Sequence, residues 1–326
     1  MKGLLAVLVL GCISAQAQTI TETFGSGANQ FSIEFVTIGN PGNSSDFRRN
    51  PWKEFSAGSV SYSYQIAKYE TSRGMIDKFN ATLNDSTTSS QISLSDMTPF
   101  TGNGPYKPAS GVSWNEAARF VNWLNISRGY QPAYNFMTDG FNDAIELWSI
   151  SDSAQNGLNR FRHKDAVFFL PSIDEWHKAA YYDPNNSAFS DYPTGVPPQF
   201  VMGGTNQGTA VFSFDYWGFG PADVSNAGGL SWYETMAQGG NVAEWNESAY
   251  DFLNDSSGDS RVIRGGSWYS PGRADNLEAS SLVSQSPDLE SDTIGFRVAM
   301  VPEPSSLSLL VAVGVVLAAG RRRNRD

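Results

Sequence analysis

Cysteine is nearly absent from this chain: Cys12 is the only one among 326 residues, and it lies in an apolar segment near the N-terminus. Histidine occurs twice, and 22 Lys and Arg stand against 33 Asp and Glu, which gives a net charge of -11 at pH 7. This acidic balance argues against a nucleic-acid partner, because neutralising phosphates requires clustered basic side chains. Only 17% of the residues are charged and 40% are hydrophobic, which is typical of a globular protein.

The first 17 residues predict a secretory signal peptide. A basic second residue precedes an apolar run at 4–10, and Ala15-Gln16-Ala17 offers a small-residue cleavage site. Cleavage after Ala17 would remove Cys12, so the mature chain would have no disulfide, no thiolate nucleophile and no thiolate-bound metal. The alternative, a lipidated Cys12, fits less well because Leu10 stands where a smaller residue is usual.

Residues 302–326 form a candidate sorting tail. Pro302-Glu303-Pro304 precedes an apolar run at 307–319, which four arginines follow. The run is shorter than the about 20 apolar residues that cross a bilayer, and the arginines would stay cytoplasmic, leaving the body of the chain outside. The three features in this order resemble the PEP-CTERM sorting signal of Gram-negative bacteria. This resemblance implies a transient anchor in the inner membrane, exosortase-type sorting machinery as a partner, and an exported protein of the cell envelope or extracellular space.

The body, residues 18–301, is predicted to be one domain with little regular structure. Two capping boxes, Ser113 with Glu116 and Ser172 with Glu175, predict helices whose apolar residues follow at helical spacing, so the two glutamates are interpreted as caps and not as catalytic acids. A third helix is predicted after Glu70. Short strand-like segments are separated by long loops: Phe31–Ile38, Ser59–Tyr69, Val167–Leu170, Arg261–Ile263 and Phe296–Met300.

Aromatic residues are abundant, with nine Trp and 13 Tyr. They could stack on sugar rings, but most are predicted to fill the core, because large rings bury the most area per residue. Three in glycine-rich loops are predicted to be exposed: Trp217, Trp232 and Tyr233.

Four stretches in order carry a family resemblance: YQIAKYETSRGMIDKFN at 64–80, VSWNEAARFVNWLN at 112–125, FLPSIDEWHKAAYY at 169–182, and QGGNVAEW, RVIRGGSW and GFRVA within 238–299. Together they resemble the formylglycine-generating enzymes, or sulfatase-modifying factors, whose domain is shared with ergothioneine-pathway sulfoxide synthases. The resemblance implies an irregular α+β fold of the C-type-lectin-like class. It covers nearly all of the mature body.

The loop after RVIRGGSW departs from the family's metal site. In formylglycine-generating enzymes two cysteines, five positions apart, hold copper there, and soft Cu(I) prefers thiolates. This sequence has Ser270 and Asp275 at those positions, although the neighbouring Ser267 matches a serine beside the family's active site. A hydroxyl and a carboxylate are hard ligands, so copper is not expected.

Iron is not expected either. The sulfoxide synthases use three histidines, partly from an additional helical domain, whereas this chain has only His163 and His177. His177 follows the inward-facing Trp176 by one position and is predicted to lie near the surface. No G-x-S-x-G segment supports a hydrolase that would use either histidine.

Calcium is the cofactor that the resemblance leaves open. The family's GNVxEW turn binds a structural Ca²⁺ through backbone carbonyls and a glutamate, here Gly240, Val242 and Glu244, with oxygen ligands that suit this hard cation. The usual Asn or Asp three positions before the glycine is Ala237 here. A second, shorter match places ligands at Asp215 and Trp217. The alternative is that these residues only cap turns.

Another acidic stretch, Asp251, Asp255 and Asp259, lacks the terminal glutamate of an EF-hand and is interpreted as a solvated surface loop.

Three functions remain. The first is an exported, non-catalytic binding protein of the cell envelope or matrix, with an extracellular polysaccharide or protein as ligand, because recognition residues gather on loops of a rigid scaffold. The second is a peptidyl-cysteine oxidase of the formylglycine-generating type with an atypical metal site. The third is a structural matrix component. The sequence favours the first.

Overall fold

The computed structural model describes residues 18–83, 91–136, 144–212, 219–270 and 274–302. The predicted signal peptide and all but the first residue of the predicted sorting tail lie outside these ranges. Three α-helices occur in the described residues: α1 (Arg73–Asn80), α2 (Trp114–Ser127) and α3 (Ile173–Tyr181). The strands, numbered in chain order, are short: β1 (Thr19–Phe24), β2 (Phe31–Ile38), β3 (Asp46–Arg49), β4 (Glu54–Ala57), β5 (Tyr64–Ala67), β6 (Asn135–Phe136), β7 (Ile145–Glu146), β8 (Ser153–Ala154), β9 (Asn159–His163), β10 (Phe168–Phe169), β11 (Tyr182–Asp183), β12 (Ala188–Phe189), β13 (Gln199–Phe200), β14 (Thr209–Ala210), β15 (Ala243–Ala249), β16 (Arg261–Arg264), β17 (Val283–Gln285), β18 (Ile294–Gly295) and β19 (Ala299–Met300).

An antiparallel five-stranded sheet has the order β1-β2-β5-β19-β10. The β2 sequence FSIEFVTI begins with strict alternation, so Phe31, Ile33 and Phe35 are buried while Ser32 is exposed. The largest hydrophobic cluster joins this sheet to α2, where the Phe120 ring stacks 6.1 Å from Phe31.

A second sheet has the order β17-β16-β15-β18. β15 pairs antiparallel with β16 and parallel with β18, so its register places Glu244 opposite both Arg264 and Gly295. This sheet therefore brings together the three glycine-containing motifs that the sequence spreads over 238–299.

The helices begin where the sequence predicts. At α2, Ser113 Oγ accepts from the Glu116 amide and the Glu116 carboxylate accepts from the Ser113 amide; Ser172 and Glu175 repeat this arrangement at α3. Each box satisfies two N–H groups that a helix start leaves unpaired. Both predicted capping boxes are confirmed, and the third helix, α1, begins after a Ser72 cap.

The strand predicted at Phe31–Ile38 has these bounds in β2, and the one at Arg261–Ile263 extends by one residue in β16, but the other three predicted strands are longer than the observed ones. The segment predicted at Ser59–Tyr69 is paired only at β5, and the segment at Phe296–Met300 only at β19. Val60, Phe296 and Val298 are nevertheless buried. An apolar run marks burial, whereas strand length depends on a hydrogen-bonding neighbour. Within the described ranges, none of the helices combines the length and the apolar character that crossing a membrane requires.

Candidate functional site: two arginine–carboxylate clusters and a polar cleft

The loop after β16 is a packed turn. Ser267 N donates to Ser270 Oγ at 3.1 Å, and Ser267 Oγ donates to the Tyr269 carbonyl at 3.1 Å. The Trp268 ring covers this turn, 4.7 Å from the Phe100 ring. Ser270 is buried, whereas Asp275 is exposed in a short 3-10 helix. A buried hydroxyl committed to its own turn and an exposed carboxylate do not fit the soft Cu(I) ion that the family holds at these two positions.

Glu244 is held by an arginine. Its two carboxylate oxygens accept from Arg297 Nη2 and Nε, each at 2.6 Å, and Oε2 also accepts from Trp176 Nε1 at 2.6 Å. The same guanidinium donates to three backbone carbonyls, the shortest of these bonds reaching Met236 at 2.7 Å. Neither Glu244 nor Arg297 is exposed.

At the first predicted calcium position, Gly240, Val242 and Glu244, the Arg297 guanidinium occupies both oxygens of the single carboxylate. The backbone explains why residue 240 is a glycine: Gly240 has φ +99°, and a Cβ there would overlap the Val211 carbonyl. The second predicted calcium position, Asp215 and Trp217, lies outside the described residues.

Glu70 adds a second carboxylate next to Arg297. It is buried, and it accepts from Asn241 Nδ2 at 2.5 Å and from the Val242 amide at 3.0 Å. Burial and the negative charge of Glu244 raise the pKa of Glu70 from 4.5 to about 8. Arg297, Glu244 and Glu70 are called the Arg297 cluster below. It ties β15 to the segments before α1 and after β18.

The prediction that His177 lies near the surface is wrong. Its ring is fully buried: one nitrogen, Nε2, lies 2.9 Å from Asp46 Oδ2, and Arg264 Nη2 lies 2.8 Å from the other. Burial lowers the pKa of His177 to about 4, so the ring is neutral at pH 7. The face of α3 beside Trp176 is covered by β3 and β16, which the helical pattern of α3 alone could not show.

Only one group of three or more His, Cys, Asp or Glu side chains comes close enough to hold a metal ion in the described part of the chain, and it contains neither histidine. It consists of Asp251, Asp255 and Asp259, whose ligand atoms lie within 4.8 Å of one another. The first two are exposed and the third is half-buried. They lie on the surface, as the sequence predicts, and fold closer together than their spacing indicates.

A cleft of about 710 Å³ opens on another part of the surface. Its walls are the loop 59–62 before β5, the segment 150–158 around β8, the end of β9 and the start of α3. The β8–β9 turn carries Gln155, Asn156 and Gly157, all with φ between 52° and 89°, and the first two are exposed. Non-glycine residues rarely adopt a positive φ, and two such residues in a row are therefore unusual. Backbone conformations of this kind cluster at functional sites.

A second arginine–carboxylate cluster lies at the floor of the cleft, where two of its residues, Arg162 and Glu175, line the wall. Arg162 lies 3.2 Å from Glu175 Oε1 and 3.2 Å from Glu247 Oε2, and its guanidinium lies 3.8 Å from the centre of the Phe169 ring. Tyr62 donates to Glu175 Oε1 at 2.6 Å. Burial, with the charge of Glu175, raises the pKa of Glu247 from 4.5 to about 7. Arg162, Glu175 and Glu247 are called the Arg162 cluster below.

Glu175 is therefore more than a cap, because it also anchors the floor of the cleft. The sequence does not indicate the cleft itself. Its walls are about 90 residues apart in the chain, and the only local signal is the Asn156-Gly157 pair, a turn dipeptide between β8 and β9.

Of the three aromatics predicted to be exposed, Trp232 is exposed and Trp217 lies outside the described residues. The prediction for Tyr233 is wrong, because its ring is buried 6.5 Å from Tyr182 and its hydroxyl donates to Asn40 Oδ1 at 3.2 Å. Its neighbours come from the β11 region and from the loop after β2.

Small sheets, three helices among the described residues and long packed loops define an irregular α+β protein. The chain belongs to the family of the sulfatase-modifying factor enzyme 1-like domain, whose family model matches residues 37–301. This match confirms the family that the motifs predict.

Solved structures with a similar fold include Treponema denticola variable protein 1, which is 23% identical with a TM-score of 0.57 over 87% of this chain and 99% of that chain. The crystal structure of CarF is 18% identical with a TM-score of 0.57, over 83% and 99%. PvdO from Pseudomonas aeruginosa is 17% identical with a TM-score of 0.51, over 86% and 98%. At these identities the likeness shows the fold alone. The comparison with curated proteins gives no match.

Proposed function

We propose that this protein is an exported, non-catalytic member of the family that binds an extracellular polysaccharide in the cleft between β8–β9 and α3. The observation that carries the proposal is the cleft itself. Its volume of about 710 Å³ falls within the roughly 300–1,000 Å³ usual for ligand sites. The rim presents the side chains of Ser61, Gln155 and Asn156, which have no hydrogen-bond partner among the described residues. Hydroxyls and amides are both donors and acceptors and so match the hydroxyls of a sugar.

Two further observations support binding without redox catalysis. The loop positions where the family holds copper carry the buried Ser270 hydroxyl and the exposed Asp275 carboxylate. The rim of the cleft also exposes Ile150 and Leu158, at 71% and 75%, and such apolar side chains can contact the apolar face of a sugar ring. Export and transient anchoring through the C-terminal tail would present this cleft at the cell envelope.

A glycan array on the purified protein, with a matched pair of variants, tests the proposal. Ser61 and Ser63 are both exposed and two residues apart, but only Ser61 lines the cleft. Ser61→Trp is expected to weaken the binding of a captured glycan at least tenfold, and Ser63→Trp to leave it unchanged. Equal affinity in both variants, or no glycan bound, would contradict the proposal.

Metal analysis of the same preparation tests the alternative function, a peptidyl-cysteine oxidase with an atypical metal site. Stoichiometric copper or iron, together with oxidation of a cysteine-bearing sulfatase peptide, would establish that alternative. We expect neither. A protein that binds no glycan and no metal would favour the third candidate, a structural matrix component.

A further inference from the structure

Asp174 lies in the wall of the cleft, at the start of α3. Its Oδ1 accepts from the Gly58 amide at 2.8 Å, which fastens the loop before β5 to the helix. No cation pairs with it, and its second oxygen has no hydrogen-bond partner among the described residues. The side chain is half-buried, so the carboxylate is partly withdrawn from water while it still faces the cleft.

The other charged groups that line the cleft already have partners of opposite sign. Arg162 serves the two carboxylates of its cluster, and Lys164 lies 3.8 Å from Asp152. Burial lowers the pKa of His163, on the same wall, and so disfavours its charged form. Asp174 is thus the one charged group that lines the cleft without a partner of opposite sign in the part of the chain that the structure describes.

Asp174 is mostly ionised at neutral pH. Burial raises its pKa from 3.8 to about 6, which still lies below pH 7. The start of α3 stabilises a nearby negative charge through the helix dipole but supplies only about half a positive charge. A half-buried carboxylate in this state gains most from a ligand that brings a full positive charge and a hydrogen-bond donor.

Building on the proposed function, we infer that the polysaccharide bound in this cleft contains amino sugars, whose protonated primary amine donates to the free oxygen of Asp174. The neighbouring hydroxyl and amide groups of Ser61, Gln155 and Asn156 would bind the sugar hydroxyls. An acidic protein with a net charge of -11 also attracts a cationic chain from a distance.

Two oligosaccharides of equal length, one of glucosamine and one of N-acetylglucosamine, provide the test, because they share the sugar backbone and differ only at the C2 nitrogen, which is a protonated amine in the first and an uncharged acetamide in the second. Binding is measured by calorimetry at about pH 6.5. We expect the wild-type protein to prefer glucosamine by about tenfold, which corresponds to about 1.4 kcal/mol. Asp174→Asn keeps an oxygen for the Gly58 amide and removes the charge, so it is expected to abolish the preference. Asp165→Asn is the matched control, because that carboxylate is 68% exposed and lies beside the cleft without lining it.

The outcomes separate the inference from the proposed function. Equal affinity for the two oligosaccharides, or a preference that persists in Asp174→Asn, overturns the inference and leaves polysaccharide binding in place. A failure of both to bind, alongside an empty glycan array, overturns the proposed function as well. If oligolysine of equal charge binds as tightly as the glucosamine oligosaccharide, the cleft binds any cationic chain and does not recognise an amino sugar. This result also overturns the inference.

Discussion

Replacing Glu247 by glutamine tests the electrostatics of the buried Arg162 cluster. Glu247 is fully buried and shares one guanidinium with Glu175. Its pKa is about 7 in the folded protein, whereas the ordinary value is 4.5. Between pH 4.5 and pH 7 the folded state therefore keeps a proton that the unfolded chain has already released. The stability that this proton contributes is complete below about pH 4.5 and is lost as the pH rises through about 7.

The size of the effect follows from the pKa values. A carboxyl whose folded and unfolded states titrate differently changes the free energy of unfolding by about 1.4 kcal/mol per pH unit between them. Glu247 should therefore cost the wild-type protein about 3 kcal/mol between pH 4.5 and pH 7. Glu247→Gln retains an oxygen that can accept from Tyr134, which donates to Glu247 at 2.9 Å, but it has no proton to lose.

The measurement is urea denaturation of both proteins, followed by tryptophan fluorescence at several pH values from 4.5 to 7.5. We expect the difference in the free energy of unfolding, wild type minus variant, to fall by about 3 kcal/mol across this window. Glu290→Gln, at an exposed glutamate, is the control and should give a constant difference. Parallel curves for wild type and Glu247→Gln would refute the reasoning, because Glu247 would then titrate alike in the folded and unfolded states.

Two further substitutions test the neighbourhood of β15. Arg297→Met should destabilise the fold by about 3–5 kcal/mol because it leaves Glu244 buried without a cation, and adding Glu244→Gln should recover part of this loss; an unaffected denaturation midpoint would contradict the pairing. Gly240→Ala should cost more than about 3 kcal/mol, since its Cβ would overlap the Val211 carbonyl at a positive φ, whereas Gly39→Ala, with open space around it, should stay within about 0.5 kcal/mol in the same assay.

Local signals were sufficient for the helix starts and for the family. A capping box spans four residues, so Ser113 with Glu116 and Ser172 with Glu175 could be recognised without knowledge of the fold. The loss of a copper-binding cysteine at Ser270 is equally visible in the sequence, because the metal that a ligand position can bind depends on the residue type there. These features need no contact between distant parts of the chain.

Burial in an irregular fold could not be predicted in the same way. His177 was expected near the surface from its position on α3, but Asp46 and Arg264 cover it, and they lie about 130 and 90 residues away in sequence. Tyr233 is buried for a similar reason, against Tyr182. No local pattern indicates the partner of Glu244 either, since Arg297 lies 53 residues further along the chain. With strands of two to eight residues, many buried positions depend on such contacts between segments that are far apart in the chain.

The two buried clusters follow one electrostatic rule. In the Arg162 cluster and in the Arg297 cluster, a single guanidinium faces two carboxylates, so full ionisation would leave one uncompensated negative charge in the interior, which costs several kcal/mol. One acid in each cluster avoids this cost by holding its proton: the pKa of Glu247 is raised to about 7 and that of Glu70 to about 8. The formal charge of -11 counts both as ionised, so each retained proton makes the folded protein one unit less negative. The unfolded chain has released both protons by neutral pH, and each cluster therefore makes the fold more stable under mildly acidic conditions than at neutral pH.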